Sequence, residues 1–90
     1  MTKKQKLYEK ILSGSKNVRF ADFVTIMLAF GFIQDRVGGS HRIFKHPDIP
    51  DLLSIQPAKN GQAKPYLMRQ FLSLVEEYDL NMQDDIDSKL

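Results

Sequence analysis

Ninety residues and 10.4 kDa allow one small domain with a thin core. With 42% apolar residues the chain is too hydrophobic for wholesale disorder, and the absence of cysteine excludes disulfides, thiolate nucleophiles and cysteine-held metals. The formal charge of +2 conceals a split: residues 1–75 hold twelve of the thirteen Lys and Arg with five acids, net +7, and the last fifteen are net −5.

In chain order, Leu7, Tyr8, Ile11 and Leu12 form one apolar stripe, which predicts a helix over 3–12 ended by Ser13-Gly14-Ser15. Phe20, Phe23, Val24, Met27 and Leu28 repeat that spacing and predict a second helix over 20–30. Gly31 is its expected C′ residue, and Asp22 lies in the first turn, where the helix dipole favours a carboxylate. The period then changes to two. Residues 32–37 and 40–45 read as strands around a Gly38-Gly39 hairpin turn. Residues 46–51 read as a loop because Pro47 and Pro50 bar a central strand, and 52–56 as a third strand. Residues 57–64 form a second loop. Pro65 is placed as the first residue of a last helix, whose buried stripe is Leu67, Met68, Phe71, Leu72 and Val75.

Helix, helix, three antiparallel strands and helix make a two-layer α+β domain, with helices on one sheet face and the other face open to solvent or ligand. Lys3, Lys4 and Lys6 lead into no apolar stretch of signal-peptide type, and Phe23–Ile33 is too short to span a bilayer. The expectation is therefore a soluble, cytoplasmic chain without a membrane partner. Its basic body points to a polyanion, with a solvated charged surface as the plain alternative.

Chemistry concentrates at Gly38-Gly39-Ser40-His41. Two glycines let a large ligand approach the backbone, and His41 begins a strand that holds its side chain in place. Alternation puts His41, Ile43 and Lys45 on one face and Arg42, Phe44 and His46 on the other. Phe44 assigns its own face to the core, with Arg42 at the rim, and sends His41 to the open side. An exposed imidazole among cations suits proton transfer at a phosphodiester, where RNA brings its own nucleophile as the 2′-OH and neither metal nor cofactor is needed. The plain alternative is a surface histidine in a turn. His46 is expected to be structural or solvated, and Asp84, Asp85 and Asp87 are expected to be a solvated tail. Lys59 and Lys64 are either phosphate clamps near the last helix or members of a polar loop.

The run from Arg19-Phe20-Ala21-Asp22-Phe23 into Gly31-Phe32, then Gly39-Ser40-His41-Arg42-Ile43-Phe44-Lys45-His46-Pro47, resembles the HicA family of toxin–antitoxin mRNA interferases. So does the stretch from Ile55-Gln56-Pro57 through Lys64-Pro65 into the last helix. The resemblance covers residues 18–80, with 1–17 as a helical extension and 81–90 as an acidic tail. It implies a double-stranded-RNA-binding-like fold, cleavage of messenger RNA, an essential histidine at His41, and a HicB-type antitoxin that covers it. The family often places a second histidine where this chain has Lys59. A lysine can stabilise charge on a phosphorane but is a poor acid at neutral pH, which leaves the proton work to His41. The extra helix over 3–12 has three open roles: padding the core, self-association into a homo-oligomer, or contact with the antitoxin.

The leading expectation is a metal-independent endoribonuclease, the toxin of a toxin–antitoxin pair, with His41 as general acid or base. Gly39 and Ser40 shape the site, and Arg36, Arg42, Lys45, Lys59 and Lys64 are candidate RNA contacts. The alternatives are an RNA-binding module without catalysis and an adaptor whose basic face meets an acidic protein.

Overall fold

A computed structural model of the chain describes residues 2–39 and 41–82. Ser40 and the acidic stretch containing Asp84, Asp85 and Asp87 lie outside the described residues. The elements follow the expected order: α1 (Lys3–Leu12), α2 (Phe20–Ala29), β1 (Ile33–Gly38), β2 (His41–His46), β3 (Ile49–Ile55) and α3 (Pro65–Glu77). The three strands form one antiparallel sheet in the order β1-β2-β3.

Helix α1 starts at a capping box. The Thr2 hydroxyl accepts the Gln5 N–H at 3.1 Å, and the Gln5 side chain accepts the Thr2 N–H at 3.0 Å. Its apolar stripe is used unevenly: Ile11 enters the core, Leu7 and Tyr8 pack against it, and Leu12 stays exposed. Burial raises the pKa of the Tyr8 phenol above its ordinary value, and the Tyr8 ring sits 4.9 Å from that of Phe30. Of the three roles open to this helix, padding the core is the one the fold displays.

Helix α2 has no side-chain cap; instead the Phe20 N–H donates to the Gly61 carbonyl at 3.1 Å. That bond ties the loop between β3 and α3 to the start of α2, as does the Ala63 N–H donating to Val18 O at 2.8 Å. All six phenylalanines lie in the core. Phe71 of α3 is fully buried and meets Phe23, Phe30 and Phe32 at centroid distances of 5.7, 5.4 and 5.8 Å. Each such ring contributes about 2 kcal/mol through burial, with a smaller gain from edge-on contacts. From the sheet, Phe44, Leu53 and Ile55 complete the same cluster.

Two strand boundaries differ from the sequence expectation. Gly38 pairs with His41 in the ladder, so β1 and β2 each run one residue later than expected and Gly39, at φ 60°, occupies the turn. Strand β3 begins at Ile49 and so contains Pro50, where a loop was expected. The sheet order explains this: β3 is an edge strand, and its register to β2 shifts between Phe44 and His46, so Pro50 interrupts no two-sided ladder.

The exit from α2 is locked by a buried histidine. His46 is 8% exposed; its Nε2 donates to Phe30 O at 3.0 Å, and its Nδ1 accepts the Asp48 N–H at 3.0 Å. An Nδ1 that accepts carries no proton, so these partners select the Nε2–H tautomer. The ring also stands edge-on to Phe32 at 5.0 Å. Gly31, at φ 95°, passes so close that a Cβ there would meet His46 Nε2 at 3.0 Å. Gly31→Ala should therefore lower stability by about 1–3 kcal/mol in urea unfolding, from backbone strain and the collision together. Gly14→Ala, at φ 79° but with open space around it, should cost less and so isolates the contribution of His46.

Candidate active site on the open sheet face

Phe44 and His46 are both buried on β2, and Arg42 on the same face lies over the Phe20 ring at 5.4 Å. Because successive side chains on a strand alternate, His41, Ile43 and Lys45 take the other face, as the pattern predicted. His41 and Lys45 are exposed there and Ile43 is half-buried. His41 pairs with Gly38, whose missing side chain leaves the imidazole uncrowded on that flank. The last β2–β3 pair, Arg42 with Ile55, is one residue from His41 on one strand and one from Gln56 on the other. The hairpin tip and the start of the basic loop therefore share one end of the sheet.

The candidate cations fall into two groups. On the open face, Arg36 pairs in register with Ile43, and Lys45 with Ile33, so both cations lie on the surface that carries His41. Elsewhere, Arg42 packs on Phe20 at the core rim, Lys59 is exposed in the loop, and half-buried Lys64 is the N-cap of α3. The loop is ordered by its own bonds: Ala58 N–H to Gln62 O and Gly61 N–H to Ala58 O, both 2.9 Å, and Gln62 N–H to Asn60 Oδ1, 3.1 Å. The structure thus joins Arg36 and Lys45 to the His41 face and turns Arg42 to the core side, while Lys59 and Lys64 belong to the loop that starts at the same end of the sheet as the hairpin tip.

Sequence reasoning missed Asp35. The β1–β2 register shifts between Gln34 and Arg36, so Asp35 is the extra residue of a bulge. Its Oδ2 accepts from Arg36 Nε and Nη2, each at 3.0 Å, and its Oδ1 lies 3.6 Å from Lys45 Nζ. These contacts place the carboxylate on the open face beside both cations. The Arg36 hydrogen bond, helped by the charges of Arg36 and Lys45, holds the Asp35 carboxyl below the usual carboxylate range. The sequence signal was only an acid beside an arginine; the bulge itself has no mark in the residue pattern.

The second histidine cannot join His41, since His46 is buried on the opposite face with both ring nitrogens engaged. Among the described residues no three His, Asp or Glu side chains gather as a metal site, and no helix is long and apolar enough to cross a membrane. A cavity of about 240 Å³ lies between the end of α1 and α3, lined by Ile11, Met68 and Leu72, on the helical side of the molecule. That cavity does not include His41.

Compared with known families, residues 20–75 match the model described as the HicA toxin of bacterial toxin-antitoxin. The chain belongs to the HicA toxin family. The match begins at the first residue of α2 and ends within α3, leaving α1 outside it. Membership makes this the toxin side of a toxin–antitoxin system and implies a cognate antitoxin. Neither the curated proteins nor the solved structures yielded a match to this HicA-family chain.

The Asp35 contacts carry a direct prediction. By NMR titration, the Asp35 carboxyl should have a midpoint below the ordinary value of about 3.9 and move back towards it in Arg36→Ala. A carboxylate with a lowered folded pKa supports the fold at pH above its unfolded value. That support disappears as pH falls through the lowered one, so the pair should survive mild acid and open only in strong acid.

Proposed function

We propose that this HicA-family chain is a cytoplasmic endoribonuclease that cleaves messenger RNA without a metal, with His41 as the group that moves the proton. The observation that carries the reading is the placement of His41: exposed, at the first residue of β2, beside a glycine turn and on the face that bears Arg36 and Lys45. In this reading neutral His41 takes the proton of a 2′-OH as that oxygen attacks the adjacent phosphorus. The 5′-oxygen leaves, a 2′,3′-cyclic phosphate forms, and the departing oxygen gains a proton from water or from the imidazolium. Lys59, exposed in the loop that starts at the same end of the sheet as His41, would meet the charge that develops on the phosphorus oxygens.

Family membership supports the toxin role, and the net +7 of residues 1–75 supports a polyanionic substrate. The HicB-type antitoxin expected as partner would silence the enzyme by covering His41. Glycine at the turn, with Ser40 beside it, would shape the approach of RNA. A non-catalytic RNA-binding role is the second reading, favoured by the engagement of His46, which leaves the open face with one histidine.

Induced expression of wild type, His41→Ala and His41→Gln separates these readings. Wild type should arrest growth and degrade messenger RNA. Both variants should lose cleavage by about 100-fold or more while keeping their circular dichroism spectrum and their RNA affinity. Cleavage retained in both variants would reject His41 as the proton carrier; binding without cleavage in all three would favour the second reading. RNA affinity should also fall steeply with salt, in proportion to the phosphates engaged.

A further inference from the structure

The Asp35 carboxylate has a form that bears on RNA recognition. One of its oxygens takes both the Nε and Nη2 of Arg36, and the other faces the Lys45 ammonium. A phosphodiester presents two non-bridging oxygens and can bridge a guanidinium and an ammonium in the same manner. We infer that Arg36 and Lys45 form a phosphate subsite of the RNA surface, and that Asp35 occupies it as an internal anion until RNA displaces it.

Three observations support this. Asp35 reaches the open face through a bulge, a device that re-aims a side chain at a cost in strand pairing. Its side chain is 23% exposed while those of Arg36 and Lys45 are 65% and 53% exposed, so the cations remain open to an incoming ligand. The pairs are surface ion pairs, which contribute little to stability and are readily exchanged for a stronger anion. The inference rests on the RNA reading above and adds the place of a contact. Lys45 is four residues from His41, about 14 Å along the strand, so the subsite takes a phosphate flanking the scissile one. Asp35 therefore governs affinity and leaves the proton transfer at His41 untouched.

The test compares Asp35→Asn with Glu77→Gln, an equal charge change on α3 in the helical layer. In a His41→Ala background, which keeps the RNA intact, a fluorescent single-stranded RNA should bind Asp35→Asn about threefold tighter at low salt. The slope of log affinity against log salt should steepen by up to about one counterion. Glu77→Gln should change affinity less. Adding Arg36→Ala and Lys45→Ala should abolish the gain. In the active enzyme, Asp35→Asn should lower KM and leave kcat unchanged. Equal or weaker binding by Asp35→Asn, or a gain that persists without Arg36 and Lys45, overturns the inference. If the wild type bound no RNA, the nuclease reading would fail on its own. Heparin would then still probe the subsite: later elution of Asp35→Asn supports it, and unchanged elution rejects it.

Discussion

Strand β2 has one phase, and the burial of Phe44 and His46 sets it. Phe44 is fully buried in the cluster built around Phe71, and His46 is bonded on one side to the carbonyl that ends α2 and on the other to the Asp48 amide. Turning the strand over would bring the exposed Lys45 to the core and leave Phe44 in water. It would also leave the Phe30 carbonyl and the Asp48 N–H without the partners they now have. Those combined costs exceed anything the exposed residues of the strand could return. His41, Ile43 and Lys45 are thus sent outward by their neighbours, and the face that would work on RNA is a consequence of what the core requires.

The same small core leaves one face of the sheet uncovered by the helices. A sheet of three strands has one face to give to helices, and α2 and α3 take it with their phenylalanines. The described cavity lies among the helices, where α1 adds Ile11 and Tyr8 to the margin of the core. The remaining sheet face presents an imidazole, two cations and a carboxylate, with exposed Ile33 and Leu52 among them. Charge offered at strand spacing along such a face suits a long polyanion, the substrate class proposed above. An antitoxin would find charge and apolar area on that same surface.

Charge and fold are linked through the loop between β3 and α3. Its backbone is used up internally and in bonds to residues 18 and 20, so it closes the domain by joining the start of α2 to the start of α3. Lys59 and Lys64 were read as a phosphate clamp or as parts of a polar loop. The loop serves a structural purpose through those bonds, with Lys59 exposed on it and Lys64 at the start of α3. Arg42 follows the same rule, since its guanidinium covers Phe20 at the edge of the core. Long cationic side chains contribute apolar stems to a thin core as readily as charge to a ligand.

The residue pattern alone determined the element order, the α+β class, most of each helix's apolar stripe (Leu12 and Leu28 stay exposed, and Ile26 is buried in place of Leu28), Gly31 as the end of α2 and the outward face of His41. These follow from local periodicity and from steric demands that a short segment carries with it. The HicA resemblance was legible for a related reason: its residues are short contiguous runs, at the start of α2, at Gly31-Phe32 and through the hairpin into β2, which a local reading captures whole. What the pattern did not determine depends on contacts between distant segments. Pro50 could enter a strand because that strand is an edge, which no local window reveals. His46 became a lock because the chain brings Phe30 to it across sixteen positions. Asp35 joined Arg36 and Lys45 because one residue of slip in the ladder turned its side chain to the open face. Periodicity assumes a regular ladder, so the bulge that defines the charged surface was a decision of the tertiary structure alone.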